Sequence, residues 1–244
     1  MPRHRRRKRI GTDEIDVLAG RLFLFPPLPG SKKDLVCYLP PGRTYRRRVW
    51  GPDDQWNSDR DKRRDSEFCN QIWKQTGFTV GACIYDVSSS PVDKNGVCKP
   101  HMWIRAVYDF AKSKKYERLH FVGYSGGAML GSSQLVFYPP RPDDPAAKTL
   151  ILIAPYVAEG LDKAHSNAAF FSDRINARTR LIWGTDDPKA KLGAQVWKEH
   201  NANADTQKYT GEHDFCKSGQ FENVTRMVTE WLPKATAIKR RKAQ

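Results

Sequence analysis

Short apolar runs alternate along the chain with longer amphipathic segments. The apolar runs, each about five to eight residues long, predict buried strands, and they lie at 21–25, 34–39, 78–85, 119–123, 149–154 and 180–184. Between them, apolar residues recur with helical spacing, which predicts helices at 61–76, 99–116, 126–137, 188–203 and 218–232. Apolar residues follow one another without alternation in the middle strands, as is typical of a parallel sheet that helices cover on both faces. The pattern therefore predicts an α/β fold.

The chain length predicts one folded domain. With 244 residues, the chain is long enough for a single full core, and it contains no internal repeat. The predicted organisation is a basic, disordered N-terminal tail over 1–18, one domain over 19–233 and a basic C-terminal tail over 234–244. The Pro-rich stretch 138–145 is interpreted as a surface connection, because it is too short and too central to divide two domains.

Most of the positive charge lies in the two tails. The formal net charge is +15, and six basic residues fall in the first nine positions while four more fall in 239–242. The tails therefore carry two thirds of the net charge, and the body of the chain is only mildly basic. Two interpretations stay open: solubilising extensions, or attachment to a polyanion such as nucleic acid, an import receptor or an acidic surface.

Composition argues against several classes of protein. No apolar stretch is long enough to span a membrane, and the basic N-terminus runs into Asp13 and Glu14 without the apolar segment of a secretory signal. The expected location is the cytoplasm, with the nucleus as an alternative because of the tails. Five cysteines, an odd number without CxxC spacing, predict neither a zinc site nor a disulfide framework.

A lone serine stands among three glycines directly after the predicted strand 119–123. The sequence there is Gly-Tyr-Ser-Gly-Gly, with the serine at Ser125, and a helical pattern follows at once. A strand, a tight turn and a helix around G-x-S-x-G form a nucleophile elbow, which lifts the serine hydroxyl above the edge of a sheet. Side chains at Gly123 and Gly127 would collide with the neighbouring strand and helix. The alternative is a glycine-rich turn whose serine has no chemical role.

A serine hydroxyl becomes a nucleophile only with a base, and the base needs an orienting acid. Two later turns offer both. Asp186 and Asp187 follow the strand that ends at Gly184, and His213 follows a short strand at 206–209. Of the six histidines, only His213 comes after a strand late in the chain. A purely structural histidine is the alternative interpretation of this residue.

Three segments together resemble the α/β-hydrolase superfamily. They are GYSGG at 123–127, LIWGTDDP at 181–188 and GEHDF at 211–215, each behind a predicted strand. The order of nucleophile, acid and base is that of the superfamily, and the resemblance extends from about Leu22 to Leu232. It implies an α/β-hydrolase fold, with a mostly parallel sheet and helices on both faces.

The resemblance also implies roles for single residues. Ser125 would be the nucleophile and His213 the general base. The acid of this superfamily usually stands three places after the glycine that ends its strand, which implies Asp187 here and leaves Asp186 as the alternate. No metal or organic cofactor is expected for this chemistry.

Two donors are expected to stabilise the oxyanion that forms when the serine attacks a carbonyl. One is the backbone N–H of Gly126, directly after the nucleophile. The second is expected from the loop that leaves the second predicted strand, where many members of the superfamily carry a His-Gly pair. This chain has Pro40 and Pro41 there, which lack an N–H, so the role falls to Gly42 or Arg43. Arg43 is favoured, because Gly42 lets the loop turn and present the amide that follows.

The connection that carries a lid in many members of the superfamily is short here. Only the segment 155–179 separates two predicted strands, which predicts an open pocket without a large lid domain. Tyr124 and Tyr156 are the candidates for contacting substrate. Both could equally belong to the core.

These inferences predict a serine hydrolase that cleaves carboxylic esters, or related acyl compounds, of small molecules through an acyl-enzyme. Amide or peptide cleavage and thioester cleavage use the same machinery and stay open as alternatives. Two hypotheses of another kind remain: a non-catalytic binding protein built on the same fold, and a nucleic-acid-associated protein recruited by its basic tails.

Overall fold

The structure, a computed structural model, describes residues 13–17, 20–25, 33–41, 60–85, 100–137, 139–156 and 168–233. Among these residues, eight strands are formed: β1 (Asp13–Val17), β2 (Gly20–Phe25), β3 (Asp34–Leu39), β4 (Thr79–Tyr85), β5 (Arg118–Tyr124), β6 (Ala146–Ile153), β7 (Arg178–Gly184) and β8 (Asp205–Tyr209). The helices within the same ranges are α1 (Arg60–Thr76), α2 (Pro100–Ser113), α3 (Gly126–Phe137), a 3₁₀ helix (Ala168–Arg174), α4 (Pro188–His200) and α5 (Phe221–Trp231).

The strands form one mixed sheet in the order β1-β2-β4-β3-β5-β6-β7-β8. The six strands from β4 to β8 along this order are parallel, whereas β2 runs antiparallel to β4 and β1 antiparallel to β2. The carboxyl ends of the six parallel strands therefore share one edge of the sheet. Loops at this edge are where ligands bind in open α/β sheets.

Helices pack against this sheet in two groups. Helices α1 and α5 contact each other, and α2, α3, the 3₁₀ helix and α4 contact one another in chain order. The predicted α/β class, with a mostly parallel sheet between helices, is confirmed. No helix in the described ranges is both long enough and apolar enough to cross a membrane.

The central strands supply the core. Every residue of β3 is buried, and so is every residue of β5 after Arg118. Consecutive residues of a strand point to opposite faces, so burial of both sets explains why these segments are largely apolar, with Asp34 and His120 as buried polar exceptions. Burial of each large apolar side chain contributes about 1.5–3 kcal/mol. The prediction of strands buried on both faces is confirmed here.

The first strand is a correction to the sequence prediction. Residues 13–17 were expected within a disordered tail, but they form β1 and pair with β2. The strand is easily missed because three of its five residues are acidic and it pairs on one side only, which allows polar side chains. The tail prediction is therefore wrong for 13–17. Residues 1–12 and 234–244 lie outside the described residues.

Candidate active site

The serine of the glycine-rich turn occupies a strained backbone position. Ser125 joins β5 to α3 with a φ of +53°, in the left-handed region that a residue with a side chain rarely adopts. Such a conformation costs about 1–3 kcal/mol and persists only where the surroundings impose it. The Ser125 N–H donates to the Ile153 carbonyl of β6 at 2.8 Å, and the Ser125 carbonyl accepts from the Met129 N–H at 3.2 Å. The turn is thus held between the sheet and the first turn of α3.

The glycines on either side of the serine are sterically required. A Cβ at Gly123 would lie 2.6 Å from the Cα of Ala128 in α3, and a Cβ at Gly127 would lie 2.1 Å from the Leu39 carbonyl oxygen at the end of β3. Both distances are shorter than any real contact of a Cβ. The sequence prediction that side chains at these two positions would collide with neighbouring backbone is confirmed.

The two candidate acids in the loop after β7 have different surroundings. Asp187 is buried and caps α4: its Oδ1 accepts from the Ala190 N–H at 3.0 Å, and Pro188 follows at the first helical position. Asp186 is exposed, and its carboxylate accepts from the Thr185 hydroxyl at 3.1 Å. Capping leaves the second oxygen of Asp187 available to another donor.

The loop after β8 carries His213 and is anchored by the residue two places on. Phe215 is buried, with its ring centroid 5.0 Å from that of Tyr124 and 5.8 Å from that of Phe68. The Asp214 carboxylate accepts from the Cys216 N–H at 3.0 Å, which closes a local turn. The imidazole is therefore presented from a loop with its own buried anchor.

The structure brings the imidazole to both the serine and one of the acids. His213 Nδ1 lies 2.5 Å from Asp187 Oδ2, and His213 Nε2 lies 2.8 Å from Ser125 Oγ. A carboxylate only accepts hydrogen bonds, so in the neutral imidazole Nδ1 carries the proton and the lone pair of Nε2 faces the serine hydroxyl. The Asp187 side chain is 5% exposed and the imidazole 44% exposed. The carboxylate is shielded from solvent, and the imidazole is partly exposed.

Backbone hydrogen bonds tie the acid loop to the histidine loop. The Asp186 N–H donates to the Gly211 carbonyl at 2.9 Å, and the Gly211 N–H donates to the Thr185 hydroxyl at 3.2 Å. The Thr185 N–H donates to the Tyr209 carbonyl at the end of β8, at 2.9 Å. The separation of Asp187 and His213 is therefore set by backbone contacts as well as by their own hydrogen bond.

Of the two expected oxyanion donors, Gly126 lies within the described residues and Arg43 does not. Gly126 is buried at the first position of α3, where backbone N–H groups have no acceptor within the helix. The contact between Gly127 and the Leu39 and Pro40 carbonyls places the start of the loop after β3 beside this helix end. Arg43, the expected second donor, lies outside the described residues.

The structure does not place Tyr124 on an open pocket wall. Its side chain is 7% exposed, and its hydroxyl donates to the His213 carbonyl at 3.0 Å. This buried position fits the alternative that Tyr124 belongs to the core, and a substrate contact for Tyr124 stays a prediction. Tyr156 is half-buried where the chain beyond β6 crosses α4, its Cα being 2.8 Å from the position of a Cβ on Gly193. A substrate contact for Tyr156 stays a prediction.

Sequence reasoning missed Tyr209. It is the last residue of β8, is buried, and its hydroxyl lies 2.8 Å from the Glu212 carbonyl and 3.1 Å from that of His213. A tyrosine that ends the strand before the histidine loop was the available signal. Within the described ranges, no group of three or more His, Cys, Asp or Glu side chains is arranged to hold a metal ion.

Comparison with solved structures decides the fold. No family model and no curated protein matches the chain. The carboxylesterase EstE1 from a metagenomic library matches with a TM-score of 0.65 at 13% identity, over 89% of this chain and 88% of that one. The esterase of Pyrobaculum calidifontis gives a TM-score of 0.63 at 14% identity, over 89% and 84%. An alpha-beta serine hydrolase homologue from Coxiella burnetii gives 0.59 at 10% identity, over 89% and 95%. The chain has the α/β-hydrolase fold.

The α/β-hydrolase fold accounts for how residues far apart in sequence meet. Ser125, Asp187 and His213 follow β5, β7 and β8, three parallel strands whose carboxyl ends share one edge of the sheet. Identities of 10–14% show the common fold and leave the reaction of this chain to its own residues.

Proposed function

We propose that the chain is a serine hydrolase that cleaves carboxylic esters or related acyl compounds of small molecules. The observation that supports the proposal is the unbroken series of contacts from Asp187 through His213 to Ser125, at 2.5 and 2.8 Å. The strained backbone at Ser125 is a second support, since strain of this kind clusters at reactive sites.

In the proposed reaction, Ser125 Oγ attacks the acyl carbon while its proton moves to His213 Nε2. The tetrahedral oxyanion accepts from the Gly126 N–H and from a second amide of the loop after β3, for which Arg43 is the candidate. When the intermediate collapses, the alcohol leaves with the proton from His213, and the acyl group stays on Ser125. Water then attacks the acyl-enzyme by the same proton route and releases the acid.

Asp187 is proposed as the acid that orients the imidazole. Its Oδ1 is held by the first turn of α4, so its Oδ2 is fixed in front of His213 Nδ1. Carboxylate charge at that place stabilises the imidazolium that forms during attack. Asp186, exposed and bonded to Thr185, is not part of this proposal.

The substrate panel described below decides which class of acyl compound the protein cleaves. Esters are favoured because two of the matched structures are named as a carboxylesterase and an esterase. Peptidase or amidase activity and thioesterase activity use the same nucleophile and base. The leaving group and the length of the acyl chain decide among them.

The decisive experiment combines a substrate panel with covalent labelling. Purified full-length protein is assayed on p-nitrophenyl esters of increasing acyl length beside thioester and anilide analogues, and is labelled with a fluorophosphonate probe. We expect ester hydrolysis and labelling in the native protein and neither in Ser125→Ala. Ser113→Ala is the matched control, because its hydroxyl donates to the Phe110 carbonyl at the carboxyl end of α2 and forms no other side-chain hydrogen bond within the described part of the chain. A native protein that stays unlabelled and inactive would contradict the proposal and favour a non-catalytic binding protein. Labelling and hydrolysis that persist in Ser125→Ala would contradict the role of Ser125 and indicate another nucleophile.

The basic tails support a separate proposal, contact with a polyanion such as nucleic acid. Six basic residues within 1–9 and four within 239–242 supply the charge. If the proposal holds, removing residues 1–9 and 239–244 abolishes retention on a nucleic-acid column while leaving ester hydrolysis intact. Equal retention of the trimmed chain would contradict it. Residence in the cytoplasm or the nucleus stays a prediction.

A further inference from the structure

Two tyrosine hydroxyls converge on one backbone carbonyl at the proposed active site. The Tyr124 hydroxyl donates to the His213 carbonyl at 3.0 Å, and the Tyr209 hydroxyl shares its proton between the carbonyls of His213, at 3.1 Å, and Glu212, at 2.8 Å. A carbonyl oxygen has two lone pairs, so the two phenols can occupy both. The peptide group that carries the imidazole is thus held from two sides.

The two tyrosines come from the strands on which the rest of the site depends. Tyr124 ends β5 and precedes Ser125 directly. Tyr209 ends β8, and its backbone carbonyl accepts from the Thr185 N–H, two residues before Asp187. Tyr124 therefore links the His213 carbonyl to the end of β5, which precedes the serine. Tyr209 links the same carbonyl to the end of β8, which is bonded to the acid loop.

Both phenols keep their protons over the working range of an enzyme. Tyr124 and Tyr209 are 7% and 1% exposed. Burial raises the pKa of each phenol far above its ordinary value, and the nearby charges of Asp214, and of Asp187 for Tyr209, raise it further. The hydroxyls stay donors, so the hold on His213 does not change with pH near neutrality.

We propose that Tyr124 and Tyr209 are positioning residues, whose hydroxyls hold the His213 backbone so that Nε2 stays in line with Ser125 Oγ. The inference rests on the proposed function. Neither hydroxyl touches a reacting atom, and each acts through the histidine. Because a misplacement of about 1 Å can cost about 10²-fold in rate, two hydrogen bonds at the base of the imidazole are well placed to control turnover.

The test removes each hydroxyl and keeps each ring. Tyr124→Phe, Tyr209→Phe and the double variant are assayed on the best ester of the panel, with active sites counted by fluorophosphonate. We expect kcat per active site to fall about 3–10-fold in each single variant and about 10–100-fold in the double variant, with KM within about twofold. A retained KM with a lowered kcat indicates misalignment of the histidine, because a loss of folded protein would lower the active-site count instead.

Tyr116→Phe is the matched control for these variants. Its hydroxyl donates to Thr79 at 3.1 Å at the other edge of the sheet, so the substitution also removes one tyrosine hydrogen bond but leaves the His213 loop untouched. We expect kcat per active site to stay within about twofold of the native value. Melting temperatures are measured for every variant, and the assays are run well below the lowest of them.

The outcomes separate the two proposals. If the native protein is labelled and hydrolyses esters but the double variant keeps its kcat, the positioning role is wrong and the proposed function stands. If the native protein is neither labelled nor active, the proposed function itself fails. A downfield proton resonance of His213 Nδ1–H that disappears in His213→Gln and shifts or broadens in the double variant would support the positioning role without any turnover measurement.

Discussion

Two histidine clusters of similar composition lie near opposite ends of the parallel strands. In each, one ring nitrogen faces an aspartate and the other faces a hydroxyl. The buried cluster contains His120, Asp34 and Thr149, and the edge cluster contains His213, Asp187 and Ser125. His120 lies 3.0 Å from each of its partners, whereas His213 lies 2.5 Å from Asp187 and 2.8 Å from Ser125, so all four distances are within hydrogen-bonding range. A histidine placed between an aspartate and a hydroxyl therefore occurs at more than one place in this chain.

Accessibility and backbone geometry distinguish the two clusters. His120 is fully buried inside β5, its ring stacks on Phe78 at a centroid distance of 5.6 Å, and Thr149 lies within β6. The His213 side chain is 44% exposed, and Ser125 stands on a strained turn beyond the end of its strand. Thr149 is 3% exposed. The two clusters therefore differ in their exposure to solvent, and under the proposed function only the edge cluster is reactive.

The largest expected effect comes from exchanging the histidines for glutamine. His213→Gln removes the proposed base at a partly exposed loop, so we expect kcat/KM to fall on the order of 10⁴-fold or more with little change in the free energy of unfolding. His120→Gln breaks a buried pair, so we expect a loss of about 3 kcal/mol of stability with kcat per active site unchanged. Ester kinetics and urea unfolding measure both. The reverse assignment of effects would place the chemistry in the buried cluster.

The second-largest effect is expected at the aspartate that faces His213. Asp187→Asn is expected to lower kcat/KM by about 10³- to 10⁴-fold, because the amide leaves the imidazole without its orienting charge. Asparagine still presents an oxygen to the Ala190 N–H, so the start of α4 is kept. Asp186→Asn is the control one residue away, with an expected change within about twofold, since its carboxylate bonds only to Thr185 among the described contacts. Equal losses in the two variants would contradict the proposed role of Asp187.

The serine turn was predictable because it has a local signature in the sequence. Gly123 and Gly127 mark the tight approach of backbone on either side of Ser125, and the steric distances agree with that reading. A further mark was available at the acid, since an aspartate followed by Pro188 is typical of a helix cap. Asp186 and Asp187 are adjacent, and the helix cap distinguishes them. Asp187 caps α4 with one carboxylate oxygen and faces His213 with the other.

Other features depend on tertiary contacts that no local pattern encodes. The hydroxyl of Tyr124 is directed to the His213 carbonyl by the packing of its ring on Phe215, a contact between residues far apart in the chain. β1 carries mostly acidic side chains, and its strand conformation depends on backbone pairing with β2. Neither contact can be predicted from local propensity or periodicity, because each depends on a residue or strand elsewhere in the chain.

The smallest expected effect concerns the acid response of the buried cluster. Burial opposes ionisation of Asp34, but hydrogen bonds and charge attraction from His120 and Arg118 outweigh it and hold the pKa of this carboxyl below its ordinary value. A carboxyl with a lowered pKa in the folded state adds stability above its unfolded pKa, near 3.8, and loses it as the pH falls towards the folded pKa. Asp34→Asn should therefore lower the free energy of unfolding by about 1–3 kcal/mol at pH 7 and flatten its decline below pH of about 4.

Urea unfolding at a series of pH values tests this expectation, with Asp173→Asn as a control at an exposed carboxylate. Ester kinetics at pH 7 should be unchanged per active site in Asp34→Asn, because the buried cluster lies at the amino ends of β3 and β5, away from Ser125. A variant that keeps the native acid slope would mean that Asp34 titrates alike in the folded and unfolded chain. A variant that instead loses turnover per active site would show that the two clusters are coupled through β5, and the separation between a structural and a reactive histidine would fail at that point.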